Sequence, residues 1–380
     1  METLEAARRQ FAVTGHSIYL DLANQNSTPK CVLDELVRFH TEAHRRGADK
    51  QGYIDRIETV RGQLAGLLHC DRSEIALTKN TSEGLNIAAA GIRCRPGDNV
   101  VLSQFEHPNN VYPWLALARQ GVEARIVRPA GRVVQAGDLI AQIDERTRAV
   151  TCSLVSFMPG ERLDLAAVSA ACHAHGAYLV VDAVQGLGIV DLDPHALGID
   201  LLAASGHKGL LAPHGVGVLY CRREVCPEIE PAFVARAGMR RLRPMEHDST
   251  QYEYAPLDDA RRFEIGNFNY SGFSALGAAL ELILSLGLAR IERHVLGLSG
   301  RLIDGLLEMG RVDVWTPREP ARRAGIVGFV PPGAERVGAA LRAAGGVFTI
   351  RREAIRFGFG FYNTADEVET VLRVIREAIA

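Results

Sequence analysis

Two short segments hold an amine and a carboxylate where neither is an ordinary surface group: Asp182-Ala183-Val184-Gln185 and Ser205-Gly206-His207-Lys208. Asp182 closes the apolar run Tyr178-Leu179-Val180-Val181, which reads as a buried strand. Lys208 follows a second such run, Asp200 to Ala204, and sits among small residues from Ala203 to Gly209. An amine desolvated in that setting has a lowered pKa and becomes a usable nucleophile. A carboxylate ending a buried run needs a cationic partner; its other reading is a cap for the turn that follows. Two adjacent strand ends would aim both groups into one crevice, where ligands of open α/β sheets sit. Such a pair meets the needs of pyridoxal phosphate (PLP) chemistry, a lysine for a Schiff base and a carboxylate to keep the pyridinium nitrogen protonated. Gln185 is placed to hydrogen-bond the ring oxygen of that cofactor.

Two further segments supply what a phosphorylated ring would need. Thr78-Lys79-Asn80-Thr81-Ser82-Glu83-Gly84 runs from a strand end into a helix, where free backbone N–H groups and the Thr81 and Ser82 hydroxyls suit a phosphate. Taken alone, the same residues read as a plain helix cap. Ser205 and His207 are placed to add phosphate contacts. His107, in Gln104-Phe105-Glu106-His107-Pro108-Asn109-Asn110, follows the strand Asn99–Ser103 and so reaches the same sheet edge. An imidazole there can stack on a flat ring and shuttle protons near neutral pH.

These residues must be carried by a large α/β framework. The 380 residues are 47% hydrophobic and 23% charged, enough for a sizeable core and for two domains. A net charge of −2 offers no basic surface for nucleic acid, which leaves a small-molecule partner. No apolar run of membrane-spanning length and no leader pattern occurs, so a cytoplasmic protein is expected. Seven scattered cysteines argue for reduced thiols, and their spacing completes no metal site.

Strands are predicted at 75–78, 99–103, 124–127, 149–155, 178–182, 201–204 and 216–220, alternating with helices at 82–91, 111–120 and 164–175 and a shorter turn at 194–197. That is a doubly wound, mainly parallel sheet. Beyond Tyr270 the pattern changes to helices at 272–286 and 290–309 and shorter elements at 325–329, 336–344, 355–358 and 366–379, a smaller α+β domain. The large domain is expected over 15–265, and the small one over 1–14 and 266–380. The polar stretch 227–262 reads as an irregular excursion near the site or a dimer interface, with Arg240-Arg241-Leu242-Arg243 through Gln251-Tyr252-Glu253-Tyr254 as a lining for a larger or anionic side chain.

Together these segments resemble the class V aminotransferase family of fold-type I PLP enzymes, which includes cysteine desulfurases, selenocysteine lyases and isopenicillin N epimerase. The likeness runs from Tyr19-Leu20-Asp21 to Arg356-Phe357-Gly358-Phe359-Gly360-Phe361-Tyr362-Asn363-Thr364. It implies that Lys208 carries the cofactor, Asp182 pairs with the ring nitrogen and His107 stacks on the ring. Thr81, Ser82, Ser205 and His207 match phosphate ligands. The run Arg262-Phe263-Glu264-Ile265-Gly266-Asn267 matches the segment that reaches the neighbouring subunit's phosphate, so a homodimer with sites at its interface is implied. Arg356 matches the arginine that grips a substrate α-carboxylate, a task suited to a guanidinium fork. Two departures stand out. Desulfurases carry a cysteine loop before that arginine, whereas here the segment is the short, cysteine-free Gly346–Ile355. Phe157 falls where relatives have an asparagine near the cofactor's ring oxygen.

The implied chemistry starts from an L-amino acid joined to the cofactor as an external aldimine, followed by removal of the Cα proton by Lys208. From there β-elimination, transamination and epimerisation diverge. Without a thiolate to take up the substrate sulfur, a persulfide-forming desulfurase is disfavoured, and a carbon–sulfur lyase acting on a cysteine S-conjugate is the expectation. An isopenicillin N epimerase-like enzyme or a class V aminotransferase is the alternative. A non-catalytic scaffold of the same fold is disfavoured by the complete residue set.

Overall fold

The computed structural model describes residues 3–240 and 253–380. Its centre is a seven-stranded sheet built from β2 (Ile75–Thr78), β3 (Asn99–Ser103), β4 (Glu123–Val127), β5 (Thr147–Ser153), β6 (Tyr178–Asp182), β7 (Leu201–Ser205) and β8 (Gly217–Cys221). The strand order is β2-β8-β7-β6-β5-β3-β4. The pairs from β4 through β3, β5 and β6 to β7 are parallel, while β8 runs antiparallel to both β7 and β2. Because both faces are covered, successive residues of one strand enter different cores. Leu201 and Ala203 join one apolar cluster, and Leu202 and Ala204 the other. That explains the unbroken apolar runs, since alternation with polar residues would put a polar side chain into one of the two cores.

Helix α4 (Thr81–Gly91) covers one face, and α7 (Leu165–Ala174) packs beside β6. Gly84 is what allows α4 to lie close, because a Cβ there would meet Ala203 Cβ at 2.7 Å. Between these, α6 (Ala136–Ile140) is a single short turn. The helix expected over 111–120 is instead the turn α5 (Tyr112–Leu115) followed by a 3₁₀ stretch at Ala116–Gln120. Gly121, at φ 76°, ends it in a left-handed conformation.

A four-stranded antiparallel sheet, ordered β12-β13-β10-β9, forms from β9 (Asp313–Val314), β10 (Ile326–Val330), β12 (Thr349–Arg351) and β13 (Ala354–Gly358). Its helices are α9 (Leu288–Glu308), α10 (Ala334–Ala343) and α11 (Ala365–Ile379). The chain's beginning joins this part. After α1 (Leu4–Arg8), strand β1 (Ile18–Tyr19) pairs with β11 (Gly346–Val347), and Asp21 bridges to Gly358. Two long helices, α2 (Lys30–Arg46) and α3 (Lys50–Leu67), pack on α8 (Tyr270–Leu286). Among the described residues no single helix is long and apolar enough to cross a membrane.

One buried ion pair ties α3 to the central sheet. Arg61, 2% exposed, donates from Nη1 to Glu264 Oε1 at 2.6 Å and to the Ile75 carbonyl at 2.7 Å. Glu264 Oε1 also accepts from the Leu77 N–H at 2.8 Å. The pair thereby fixes the segment leading to Gly266 and Asn267 against β2. Removing one partner leaves the other charge buried and unpaired, so Arg61→Ala is expected to lower the unfolding free energy by about 3–5 kcal/mol. Replacing both residues by leucine should cost much less. Chemical denaturation of the three variants checks this, and a loss under about 1 kcal/mol for Arg61→Ala would contradict it.

Candidate active site

The parallel strands end in register along one sheet edge. Ser153 at the end of β5 stands beside Asp182 at the end of β6, and Asp182 stands beside Ala203 near the end of β7. The end of β2, at Thr78, reaches the same edge through its pairing with Gly217. Each strand therefore releases a loop into a common space, a cavity of about 410 Å³. It is lined by eleven of the residues singled out above as site candidates: Thr81, Ser82, His107, Phe157, Asp182, Gln185, Ser205, His207, Lys208 and Arg356, with Lys79 from the same phosphate segment. Gly266 and Asn267 are not among its lining and lie exposed on the surface. Of the proposed arginine-rich lining, residues 241–252 lie outside the described residues, and Arg240 pairs with Asp258.

Lys208 is positioned by two glycines. Gly209 lies so close to the loop after Asp182 that a Cβ would meet the Leu187 carbonyl oxygen at 2.3 Å. Gly188, at φ 88°, would in turn meet the Gly209 carbonyl at 2.3 Å. The loops bearing the carboxylate and the amine are thus seated directly on one another. A third segment closes over them: the Asn26 N–H donates to the His207 carbonyl at 2.9 Å, and its side chain donates to the Ala212 carbonyl. The Gln185 amide donates to the Ala23 carbonyl at 2.9 Å. Ala23 and Asn24 line the cavity, and nothing in their residue types signals it.

At the start of α4, Asn80 caps the helix by accepting from the Glu83 N–H, which leaves Thr81 and Ser82 in its first turn. The Ser205 hydroxyl lies 2.7 Å from both the Thr81 N–H and the Thr81 hydroxyl. His207 stacks on His214 with centroids 4.5 Å apart. Burial, then Lys208 and His214, push the His207 imidazole down to about 4.

The reactive end is electrostatically unbalanced. Burial lowers the Lys208 amine to about 8; Asp182 opposes the shift, and Arg356 and Arg351 add to it. Burial raises Asp182 to about 6, against the pull of the Val184 N–H and of Lys208. One Asp182 oxygen accepts that N–H at 3.0 Å, and the carboxylate has no other hydrogen bond among the described residues. His107 is lowered by burial, then by Lys208, Arg351 and Arg356. Its Nδ1 accepts from the Asn109 N–H at 3.2 Å, which assigns the remaining proton of the neutral ring to Nε2. Beside it, Glu106 is half-buried, and desolvation of its carboxyl raises it to about 7; it accepts from the Ser153 N–H and hydroxyl and from the Asn110 amide. Glu106, Ser153 and Arg351 escape a reading of motifs because their neighbours in space are distant in sequence, and His214, in the same loop as His207, is revealed by their stacking.

These residues fit PLP. A buried carboxylate with a spare acceptor suits a ring N–H, a depressed lysine suits a carbonyl carbon, and a helix start with two hydroxyls suits a phosphate. No group of three or more metal-binding side chains occurs among the described residues, and all seven cysteines are free.

A family model for class V aminotransferases matches residues 18–371. A probable cysteine desulfurase of Methanothermobacter thermautotrophicus is 33% identical over 315 residues, covering 80% of this chain and 77% of that protein. The apo structure of a cysteine desulfurase from Thermococcus onnurineus superposes with a TM-score of 0.88 at 28% identity, covering 100% of this chain and 98% of that one. A cystine C-S lyase, solved with its product cysteine persulfide, shares the fold at a TM-score of 0.88 and 24% identity, covering 97% of this chain and 99% of its own.

A lysine lowered to about 8 predicts that cofactor-free protein captures PLP faster as pH rises, with a midpoint near 8. Stopped-flow absorption measures it. A midpoint near the ordinary lysine value of about 10 would contradict the desolvated setting of Lys208.

Proposed function

The chain belongs to the class V aminotransferase family and is a PLP-dependent enzyme, and from that premise we propose that it is a carbon–sulfur lyase eliminating the β-substituent of a cysteine S-conjugate. The observation that carries this reading is a cavity lined by His107, Lys208 and Arg356 but by no thiol. Among the described residues none of the seven cysteines lines it. Where a cysteine-bearing loop would stand before Arg356, strands β12 and β13 are joined by Arg352 and Glu353 alone. A chain without that thiol can expel sulfur from Cβ but cannot carry it away as a protein persulfide.

In this reading Asp182 holds the ring nitrogen, Gln185 the ring oxygen, and Thr81, Ser82, Ser205 and His207 the phosphate. PLP, when bound, supplies the electron sink that lets a Cα–H bond break. Arg356 holds the substrate carboxylate and so fixes which Cα bond faces the ring. Lys208, poised near neutrality, takes the Cα proton. His107 Nε2–H gives a proton to the departing sulfur, after which the unsaturated product hydrolyses to pyruvate and ammonia. The same reading makes the protein a homodimer in which Gly266 and Asn267 serve the other subunit's phosphate site. Their exposure, away from their own chain's cavity, supports it.

Incubation with S-methylcysteine or a bulkier S-conjugate should release pyruvate, ammonia and free thiol in equal amounts. His107→Gln should slow turnover by about 10²–10⁴-fold while the cofactor's absorption is retained. A keto acid that keeps its side chain, or an inverted amino acid, as the sole product would instead indicate transamination or epimerisation.

A further inference from the structure

The substrate end of the cavity holds a second guanidinium that the lyase reading leaves unused. Thr349 stands opposite Arg356 in the β12–β13 pair, and Arg351 is two residues along β12. Arg351 and Arg356 therefore project from the same face of the sheet as diagonal neighbours, about 7–8 Å apart at the backbone. Both line the cavity. Phe157 sits between them. Its carbonyl accepts from Arg356 Nη1 at 3.0 Å, and its ring lies beneath Arg351, whose Cζ is 5.4 Å from the ring centroid. The ring contact leaves the N–H groups of Arg351, an exposed residue, unoccupied, and Arg351 makes no ion pair with a described residue. Arg356 keeps a buried Nε–H with no partner.

The charge count points the same way. Among the described lining residues Asp182 is the only carboxylate, and a ring nitrogen takes it up. Asp21 acts on Arg356 from outside the lining, where it accepts from the Thr349 hydroxyl at 2.7 Å. Arg356 takes the substrate's α-carboxylate, which leaves Arg351 facing the substrate with no anion of its own. A second anion on the substrate removes the imbalance.

Resting on the reading of this cavity as the substrate site, we propose that Arg351, seated on Phe157, is a specificity-determining residue that binds an oxyanion on the substrate's side chain, so that the enzyme takes amino acids with a second acidic group, a carboxylate or a sulfur oxyacid. Phe157 then has a role of its own: it replaces a polar contact to the ring by a platform for the second arginine.

Calorimetry on the holoenzyme tests this without turnover. Succinate and butyrate have the same chain length, differ by one carboxylate and have no amine to react. Succinate should bind at least about tenfold more tightly, the margin of one charge-assisted fork. Arg351→Gln should bring the two within twofold while leaving butyrate affinity unchanged, and Arg351→Lys should restore part of the preference. Amino-acid arms, aspartate against asparagine and cysteine sulfinate against S-methylcysteine, followed by the cofactor's absorption, tell which oxyanion is preferred. Equal affinities for succinate and butyrate, or a preference that survives Arg351→Gln, would overturn the proposal. Absence of pyruvate from every cysteine derivative would defeat the lyase reading alone, because the succinate preference is read independently.

Discussion

A lysine amine held out of water against a single carboxylate is the constraint around which this molecule is arranged. An isolated ammonium in that cavity would be costly, and the structure answers by weakening its charge rather than by pairing it fully. Asp182 offers one carboxylate, itself pushed toward neutrality by burial, while Arg356 and Arg351 repel the amine. The cavity is left with a nucleophile near neutral pH and with unmet acceptor and donor sites that an anionic, planar ligand satisfies. Both loops that carry the pair touch through Gly188 and Gly209, so the backbones that bear the amine and the carboxylate are held against one another.

The parallel sheet makes this arrangement possible and the second sheet completes it. In-register strand ends gather the groups of the cofactor site on one edge, while β12 and β13 bring two arginines across from them. The N-terminal segment then locks the parts together, pairing β1 with β11 and lending Asn26 to the loop around His207. His107, Phe157 and Arg356 form a continuous wall in which the imidazole and phenyl rings meet at near right angles with centroids 5.5 Å apart and the Phe157 backbone carbonyl accepts from the guanidinium. Phe157 thus touches His107 through its ring and Arg356 through its backbone.

Much of this was legible in the amino-acid sequence, and the rest was hidden for physical reasons. The strands at 75–78, 99–103 and 178–182 announce themselves because burial on both faces demands an unbroken apolar run. Lys208, Asp182 and the start of α4 are marked by their place just beyond such runs. Helices α2 and α3 left a weaker trace, since α2 buries only Val32 and Glu35 and shows mostly charge. Arg351 could not be told from a surface arginine until the register of β12 against β13 put it on the face of Arg356. Glu106 needed its hydrogen-bond partner Ser153, which lies at the end of another strand, and His214 needed its stacking on His207, to be seen as part of the site.

The most direct measurement uses the scarcity of lysine in this chain. Among its 43 basic residues only Lys30, Lys50, Lys79 and Lys208 are lysines, and two of them, Lys79 and Lys208, line the cavity. Borohydride reduction of the PLP-loaded protein, followed by peptide mapping, reports which amine holds the cofactor. A label is expected on the peptide containing Lys208 and none on that containing Lys79. A label on Lys79, or none on any of the four, would contradict the assignment of Lys208.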